Sequence, residues 1–324
     1  MADAGGAARA FLARHLPVTR LVPAPTLSAR AGQPVFLKIE SELPTGSFKP
    51  RGALWALWRR MQRGTVTGVV AASTGNHGAA VAWAARTLGV PATVFLPENP
   101  NPVKRDRIAS LGAAIRTDGA RDLAEAARAA RDFAADTGAC LLDDATDPEV
   151  PPGPAVIGAE ILEQAPDTGT VVVPVGDTAL IRGIAAAVKR VAQDLRVIGV
   201  QAAQAPAYQR SWKAGSPIGT DTCDTIADGL ATRTPVAANV EAICALVDDM
   251  VLVSERSMLR AIRHLLLEEH VVAEPAGAAA TAAVLDGLEL TGPAVVIVSG
   301  ANISPDVLRA AVTLADAPEV IGRV

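Results

Sequence analysis

Aromatic residues make up only 3% of this 324-residue chain, with a single tyrosine among them. The core must therefore close with aliphatic and small side chains, and the abundant alanine implies helices that pack closely on one another. Cysteine is rarer still. Cys140, Cys223 and Cys244 are odd in number and far apart, so they fit neither a disulfide framework nor a zinc spacing and point to a reducing, cytoplasmic setting. The four histidines, His15, His77, His264 and His270, make no metal cluster, and the last two read as lying on a helix or its end. Charge of one sign is also lacking. The net charge is −4 with acids and bases interspersed, which leaves no extended basic surface and makes nucleic acid an unexpected partner. No uncharged run approaches the roughly 20 residues of a membrane span, so no membrane partner is expected. Low-complexity linkers and fixed-period repeats are absent.

Half of the residues are hydrophobic and a fifth charged, a globular composition with length for one large or two ordinary domains. The N-terminal stretch reads as an amphipathic helix presenting Phe11, Leu12, His15 and Leu16, with a transit peptide as the alternative. Beyond it, short β-branched runs alternate with alanine-rich helical stretches, the pattern of an α/β protein with parallel sheets. "VTGVVAAS" (66–73), "PATVFLP", "AAIRTD" and "ACLLDD" read as strands, and Gly89 and Gly112 stop two of the helices between them. Residues 66–145 thus form a compact four-strand domain. After the proline-rich "DPEVPPGP", the strands "TVVVPVG", "RVIGVQ", "DDMVLVS" and "AVVIVSG" alternate with further helices. The early "PVFLKIES" is a strand without a close partner in the 66–145 domain. The simplest arrangement inserts residues 66–145 into a larger domain made of 1–65 and 146–324, leaving a cleft. Such clefts, and the carboxyl ends of parallel strands, are preferred places for a cofactor.

Four loops fall at strand-to-helix junctions. "PTGSFKPRGA" sets Lys49 between an aromatic neighbour and an arginine at a helix start. It reads either as a solvated lysine or as an amine nucleophile whose protonated form is disfavoured by desolvation, the nearby cation and the helix N-terminus. "STGNHG" (73–78) flanks Asn76 with glycines that let backbone N–H groups approach an anion. "VVVPVGDTALIRG" (171–183) offers free amides in the same way, although Asp177 suits an anion less than a glycine would. "VVIVSGANIS" places Ser299 just beyond a buried strand.

In order and spacing these segments resemble the tryptophan-synthase-β-like superfamily of pyridoxal-phosphate enzymes (fold type II), particularly its serine/threonine dehydratase branch. "VFLKIESELPTGSFKPRGA", "AASTGNHGAAVAWAA", "VVVPVGDTALIRGI", "VVAEPAGAAA" and "VVIVSGANIS" fall in the family's order over nearly the whole chain. The resemblance implies two parallel-sheet, three-layer α/β domains with pyridoxal 5′-phosphate in the cleft between them. It makes Lys49 the Schiff-base lysine and the base for the substrate's α-proton, with Phe48 against the cofactor ring. Asn76 is expected to bond the ring's 3′-oxygen and Ser299 to meet the pyridine nitrogen. Gly176, Asp177, Thr178, Ala179 and Leu180 are expected to hold the phosphate, and Ser73, Thr74, Gly75 and His77 the substrate carboxylate. Glu274 is either a polar contact near substrate or ring, or a capping or domain-bridging carboxylate.

The expected activity is that of an ammonia-lyase turning a β-hydroxy amino acid of the L-threonine or L-serine type into a 2-oxo acid and ammonia. A neutral hydroxyl at the pyridine nitrogen disfavours long-lived carbanions and favours prompt loss of a β-substituent. Departures from the family pattern leave alternatives open. "VGDTAL" replaces a glycine run, and glycine-poor loops also occur in threonine synthase relatives, so β- or γ-replacement stands as a rival. Gln201 replaces the glutamate that helps to bind a divalent cation in many serine racemases, so no metal is expected. Thr74 constrains the hydroxyl a racemase would use, and a non-catalytic cofactor-binding relative would not need Lys49, Asn76 and Ser299 together. Pocket shape is expected to come from loops around Thr74, Ala203–Tyr208 and Asp228–Leu230. No C-terminal regulatory domain is expected, and a homodimer is.

Overall fold

The computed structural model describes residues 4–73, 75–98, 100 and 102–314. Among them, ten strands run in chain order: β1 (Leu21–Pro23), β2 (Val35–Ile39), β3 (Val69–Ala72), β4 (Ala92–Phe95), β5 (Ala114–Arg116), β6 (Cys140–Leu141), β7 (Thr170–Pro174), β8 (Arg196–Ala202), β9 (Asp249–Val253) and β10 (Ala294–Val298). They form a six-stranded sheet in the order β1-β2-β10-β7-β8-β9 and a four-stranded sheet in the order β5-β4-β3-β6. Every pairing is parallel except that of edge strand β1 with β2. β7 and β10 are buried at every residue, as expected of parallel strands covered by helices on both faces. The early strand β2 finds its partner at the far end of the chain, with Val35 opposite Ala294 and Ile39 opposite Val298.

Most helices lie where the apolar spacing puts them. Gly89 (φ 69°) ends the helix Asn76–Leu88 in the left-handed conformation. The helix Pro275–Leu285 is buried from Pro275 to Val284, which its run of alanines permits at close approach. The N-terminal helix is shorter than its apolar pattern suggests. It spans Ala4–Leu12 and buries Phe11 and Leu12, whereas His15 and Leu16 follow it. The His15 ring instead lies 5.0 Å from Phe11, which stacks on Trp58 at 4.5 Å.

A buried ionic network ties the start of the chain to the helix Pro152–Gln164. Arg51, 1% exposed, donates from Nε to Glu40 Oε2 (2.8 Å) and from Nη1 to Glu160 Oε1 (2.7 Å). Lys38 Nζ donates to Glu160 Oε2 (2.6 Å), Gln164 Oε1 (2.8 Å) and the Thr19 carbonyl (2.9 Å). Burial pulls the Arg51 pKa down, but Glu40 and Glu160 outweigh it and the net shift is upward. Burial dominates at Lys38, whose pKa is lowered.

Candidate active site

Loops leaving the carboxyl ends of strands from both sheets meet at one cavity of about 550 Å³. β2 leads, through Glu40–Glu42, to Lys49 at the start of the helix Lys49–Arg63. β3 leads to Ser73 and Asn76, β6 to Asp143 and Asp144, β7 to Gly176 and Asp177, and β10 to Ser299. Phe48, Lys49, Ser73, Gly75, Asn76, His77, Gly176, Asp177, Thr178, Ala179, Leu180, Glu274 and Ser299 all line the cavity. Thr74 lies outside the described residues. Of the two loops expected to shape the pocket beyond it, Asp228–Leu230 lines the cavity. The Ala203–Tyr208 segment does not line it: Ala203 and Gln204 are exposed, and its residues from Ala205 on are buried. Tyr208 is fully buried, and its hydroxyl oxygen accepts from the Val236 N–H and Asn239 Nδ2, both at 3.1 Å.

The lysine loop is stitched to the exit of β10. The Phe48 N–H donates to the Ser299 carbonyl at 3.0 Å, and Ser47 pairs with Gly300 in an isolated antiparallel bridge. Lys49 Nζ, 5.2 Å from the Phe48 ring centre, donates to Asp144 Oδ2. This corrects the expectation that the lysine's protonated form is disfavoured. Burial does act that way and is the largest single influence, but Asp144, with Asp177 and Glu274, outweighs it and raises the Lys49 pKa. The anticipated neighbouring cation is missing because Arg51 turns away to Glu40 and Glu160. Burial opposes charge on Asp144 too, yet His77 and Lys49 hold its carboxyl well below the usual carboxylate range.

Asn76 opens the helix Asn76–Leu88 and is held from two sides. Its Nδ2 donates to Glu274 Oε1 at 2.6 Å, and its Oδ1 accepts from Asn302 Nδ2 at 2.5 Å. Asn302 is itself fixed by donating to the Thr45 carbonyl at 2.9 Å. Glu274 stands at the N-cap of the helix Pro275–Leu285 but makes no side-chain capping bond; its carboxylate lines the cavity and bridges to Asn76 on the smaller sheet's helix. Gly300 makes room for this pair: a Cβ there would stand 2.1 Å from Glu274 Oε1.

His77, expected at the substrate carboxylate, is anchored otherwise. It is 7% exposed, its Nε2 lies 2.9 Å from the Leu142 carbonyl, and its Nδ1 lies 3.7 Å from Asp144 Oδ2. A carbonyl only accepts, so Nε2 donates to it, and Nδ1 faces the Asp144 carboxylate.

In the 176–180 loop, Thr178 is 2% exposed with φ 69°, and its Oγ1 has no hydrogen-bond partner among the described residues. The helix Ala179–Lys189 starts there, leaving first-turn N–H groups without intrahelical acceptors. Gly176 lies against the backbone of the opposite wall, where a Cβ would stand 2.1 Å from the Gly229 carbonyl oxygen. Gln201 is buried, and its Oε1 accepts from the Gln209 N–H at 2.8 Å. Sequence reasoning missed Asp143, Asp144 and Asn302. "LLDD" at the exit of a parallel strand was the available signal for the first two.

Two parallel sheets with a lysine-centred cavity at their strand ends define a cofactor-type α/β enzyme site. A profile described as pyridoxal-phosphate dependent enzyme matches residues 12–300, and the chain belongs to this family. The L-threonine ammonia-lyase of Thermotoga maritima is 38% identical over 291 residues, 90% of this chain and 72% of that one. A threonine deaminase from T.th. superposes with a TM-score of 0.88 at 33% identity, over 94% of this chain and 98% of that one. Maize serine racemase gives 0.88 at 28% identity over 95% of each chain. The fold is the tryptophan-synthase-β-like one.

The donors present fit pyridoxal phosphate. A partnerless buried Thr178 hydroxyl and a helix N-terminus suit a phosphate, and an amine at Lys49 and neutral donors at Asn76 and Ser299 line the same cavity.

Proposed function

We propose that the protein is a pyridoxal-phosphate dependent ammonia-lyase acting on a β-hydroxy amino acid of the L-threonine or L-serine type, releasing a 2-oxo acid and ammonia. One observation carries this reading: Ser299, a neutral hydroxyl, shares the cavity with Lys49 and the doubly held Asn76. The names of the relatives agree with it.

When bound, pyridoxal phosphate supplies an aldehyde for amines and a conjugated ring that draws off the electrons of a Cα–H bond. Lys49 would hold the cofactor at rest and, with its amine free, would take the substrate's α-proton on Nζ. Asp144 orients that nitrogen. Asn76, locked by Glu274 and Asn302, would hold the ring oxygen, and Phe48 would pack against the ring. Ser299 offers no negative charge to the pyridine nitrogen, which favours loss of the β-hydroxyl over storage of charge in the ring. Thr178 and the first-turn amides hold the phosphate. Ser73, Thr74 and Gly75 receive the substrate carboxylate, while His77 supports Asp144. The enamine released by elimination tautomerises and is hydrolysed in water. We read residues 66–145 as a domain inserted between 1–65 and 146–324, the chain as a homodimer, and its location as cytoplasmic.

The test is production of 2-oxo acid and ammonia by the cofactor-loaded protein from a panel of β-hydroxy amino acids, with Lys49→Ala as control. Equimolar products without any added nucleophile, absent in the control, support the lyase. Dependence on an added nucleophile or a phosphorylated substrate moves the assignment to replacement chemistry.

A further inference from the structure

A carboxylate in a loop that holds a phosphate repels its own ligand unless it carries a proton. Asp177 is such a residue. It lines the same cavity as Lys49, and among the described residues its carboxylate accepts one hydrogen bond, to Oδ1 from Thr232 Oγ1 at 3.1 Å. The other two carboxylates that act on Lys49 are engaged differently: Asp144 takes the ammonium and Glu274 takes the Asn76 amide. Asp177 therefore sits beside charge without a cation bonded to it. Its backbone is fixed as well, because its carbonyl accepts from Asn239 Nδ2 at 3.4 Å, and the same nitrogen donates to the Ala145 carbonyl at 2.9 Å. Oδ2 is left as the position for a proton.

We propose that Asp177 is the acid that protonates the leaving β-hydroxyl of the substrate. The proposal rests on the lyase reading. As Lys49 Nζ takes the α-proton, the Cα–H electron pair becomes the Cα=Cβ bond. The Cβ–O bond breaks with its pair on oxygen, and the Asp177 Oδ2 proton moves to that oxygen, so water leaves. Asp177 is reprotonated from solvent before the next turnover. The electrostatics agree: burial, then Asp144, push the Asp177 carboxyl up to about 6, against the opposing pull of Lys49 and the Thr232 hydroxyl. Asp143 adds to the upward push, and Arg182 and Tyr208 also feel the Asp177 charge through space.

The test compares L-serine with β-chloro-L-alanine, whose chloride leaves without a proton, in cofactor-loaded wild type and Asp177→Asn. The expected result is a serine turnover that falls on the order of 10²-fold or more relative to that of the chloro substrate in the variant. Cofactor affinity, titrated separately on the cofactor-free protein, should not weaken. In the wild type alone, the serine-to-chloroalanine rate ratio should fall as pH rises through the Asp177 ionisation, since the shared Lys49 dependence cancels. Equal losses on both substrates, or a pH-independent ratio, overturn the proposal. A wild type that eliminates chloride but never water overturns the lyase reading itself, and this proposal with it, by a different signature.

Discussion

Glu274 Oε1 accepts a hydrogen bond from Asn76 Nδ2 at 2.6 Å across 198 positions of sequence. The contact joins a helix packed on the larger sheet to a helix of the smaller one, and it sets which way the asparagine faces. Replacing Glu274 with Ala should leave Asn76 free to turn and weaken cofactor binding about 10-fold, the worth of one hydrogen bond to a charged group. Gly300→Ala should do the same from the other side, since its new methyl would occupy the place of Glu274 Oε1. Titration of cofactor-free protein with pyridoxal phosphate measures both. Unchanged affinity in both variants would contradict the orienting role.

Asp144→Asn removes the largest influence that raises the Lys49 pKa, leaving burial to lower it. The pH midpoint for covalent loading of the cofactor should move down, read as visible absorbance gained by the cofactor-free protein across a pH series. Stability should change with the opposite carboxyl in view. The Asp144 pKa is depressed on folding, so its stabilisation is present above the ordinary carboxylate pKa of about 4 and is lost as pH falls. The stability gap between wild type and variant should therefore be widest near neutrality and close in acid.

Arg51 sits two residues from the site lysine but serves the core. Arg51→Met leaves Glu40 and Glu160 buried without their shared cation, and should cost about 3–5 kcal/mol of stability. Arg51→Lys loses the paired fork to both glutamates and should be only partly milder. Urea unfolding midpoints report the loss, and a shift within error for Arg51→Met would show the network to be dispensable.

Gly176→Ala sets a methyl 2.1 Å from the Gly229 carbonyl oxygen. Backbone, rather than a movable side chain, receives that clash, so the loops 176–180 and 228–230 should separate. Cofactor retention during gel filtration should drop while the far-UV circular dichroism stays native. Retention equal to wild type would mean that the loops accommodate the methyl.

Lys49, Asn76 and Ser299 stood out through the order and spacing of their motifs along the chain, each in a loop beyond a strand, and all three line one cavity. Asp144 did not, since β6 is only two residues long and an acid pair after so short a run reads as a solvent turn. The partners of Arg51 lie 11 and 109 residues away, so its sequence neighbour Lys49 gave a false lead about where its charge goes. The same problem misplaced Tyr208: its loop position suggested a pocket wall, while its hydroxyl is satisfied by Val236 and Asn239 in the interior. Local pattern sets the elements, and long-range polar partners decide which way a side chain turns.

The stitch between Phe48 and Ser299, together with the pairing of β2 with β10, has a consequence for biosynthesis. The lysine emerges from the ribosome long before the strand that positions its loop. Until then β2 lacks a parallel neighbour and the cavity lacks a wall. A nascent chain that has not yet reached β10 thus carries the reactive amine without the pocket that gives it selectivity, and capture of the cofactor has to wait until that strand is made.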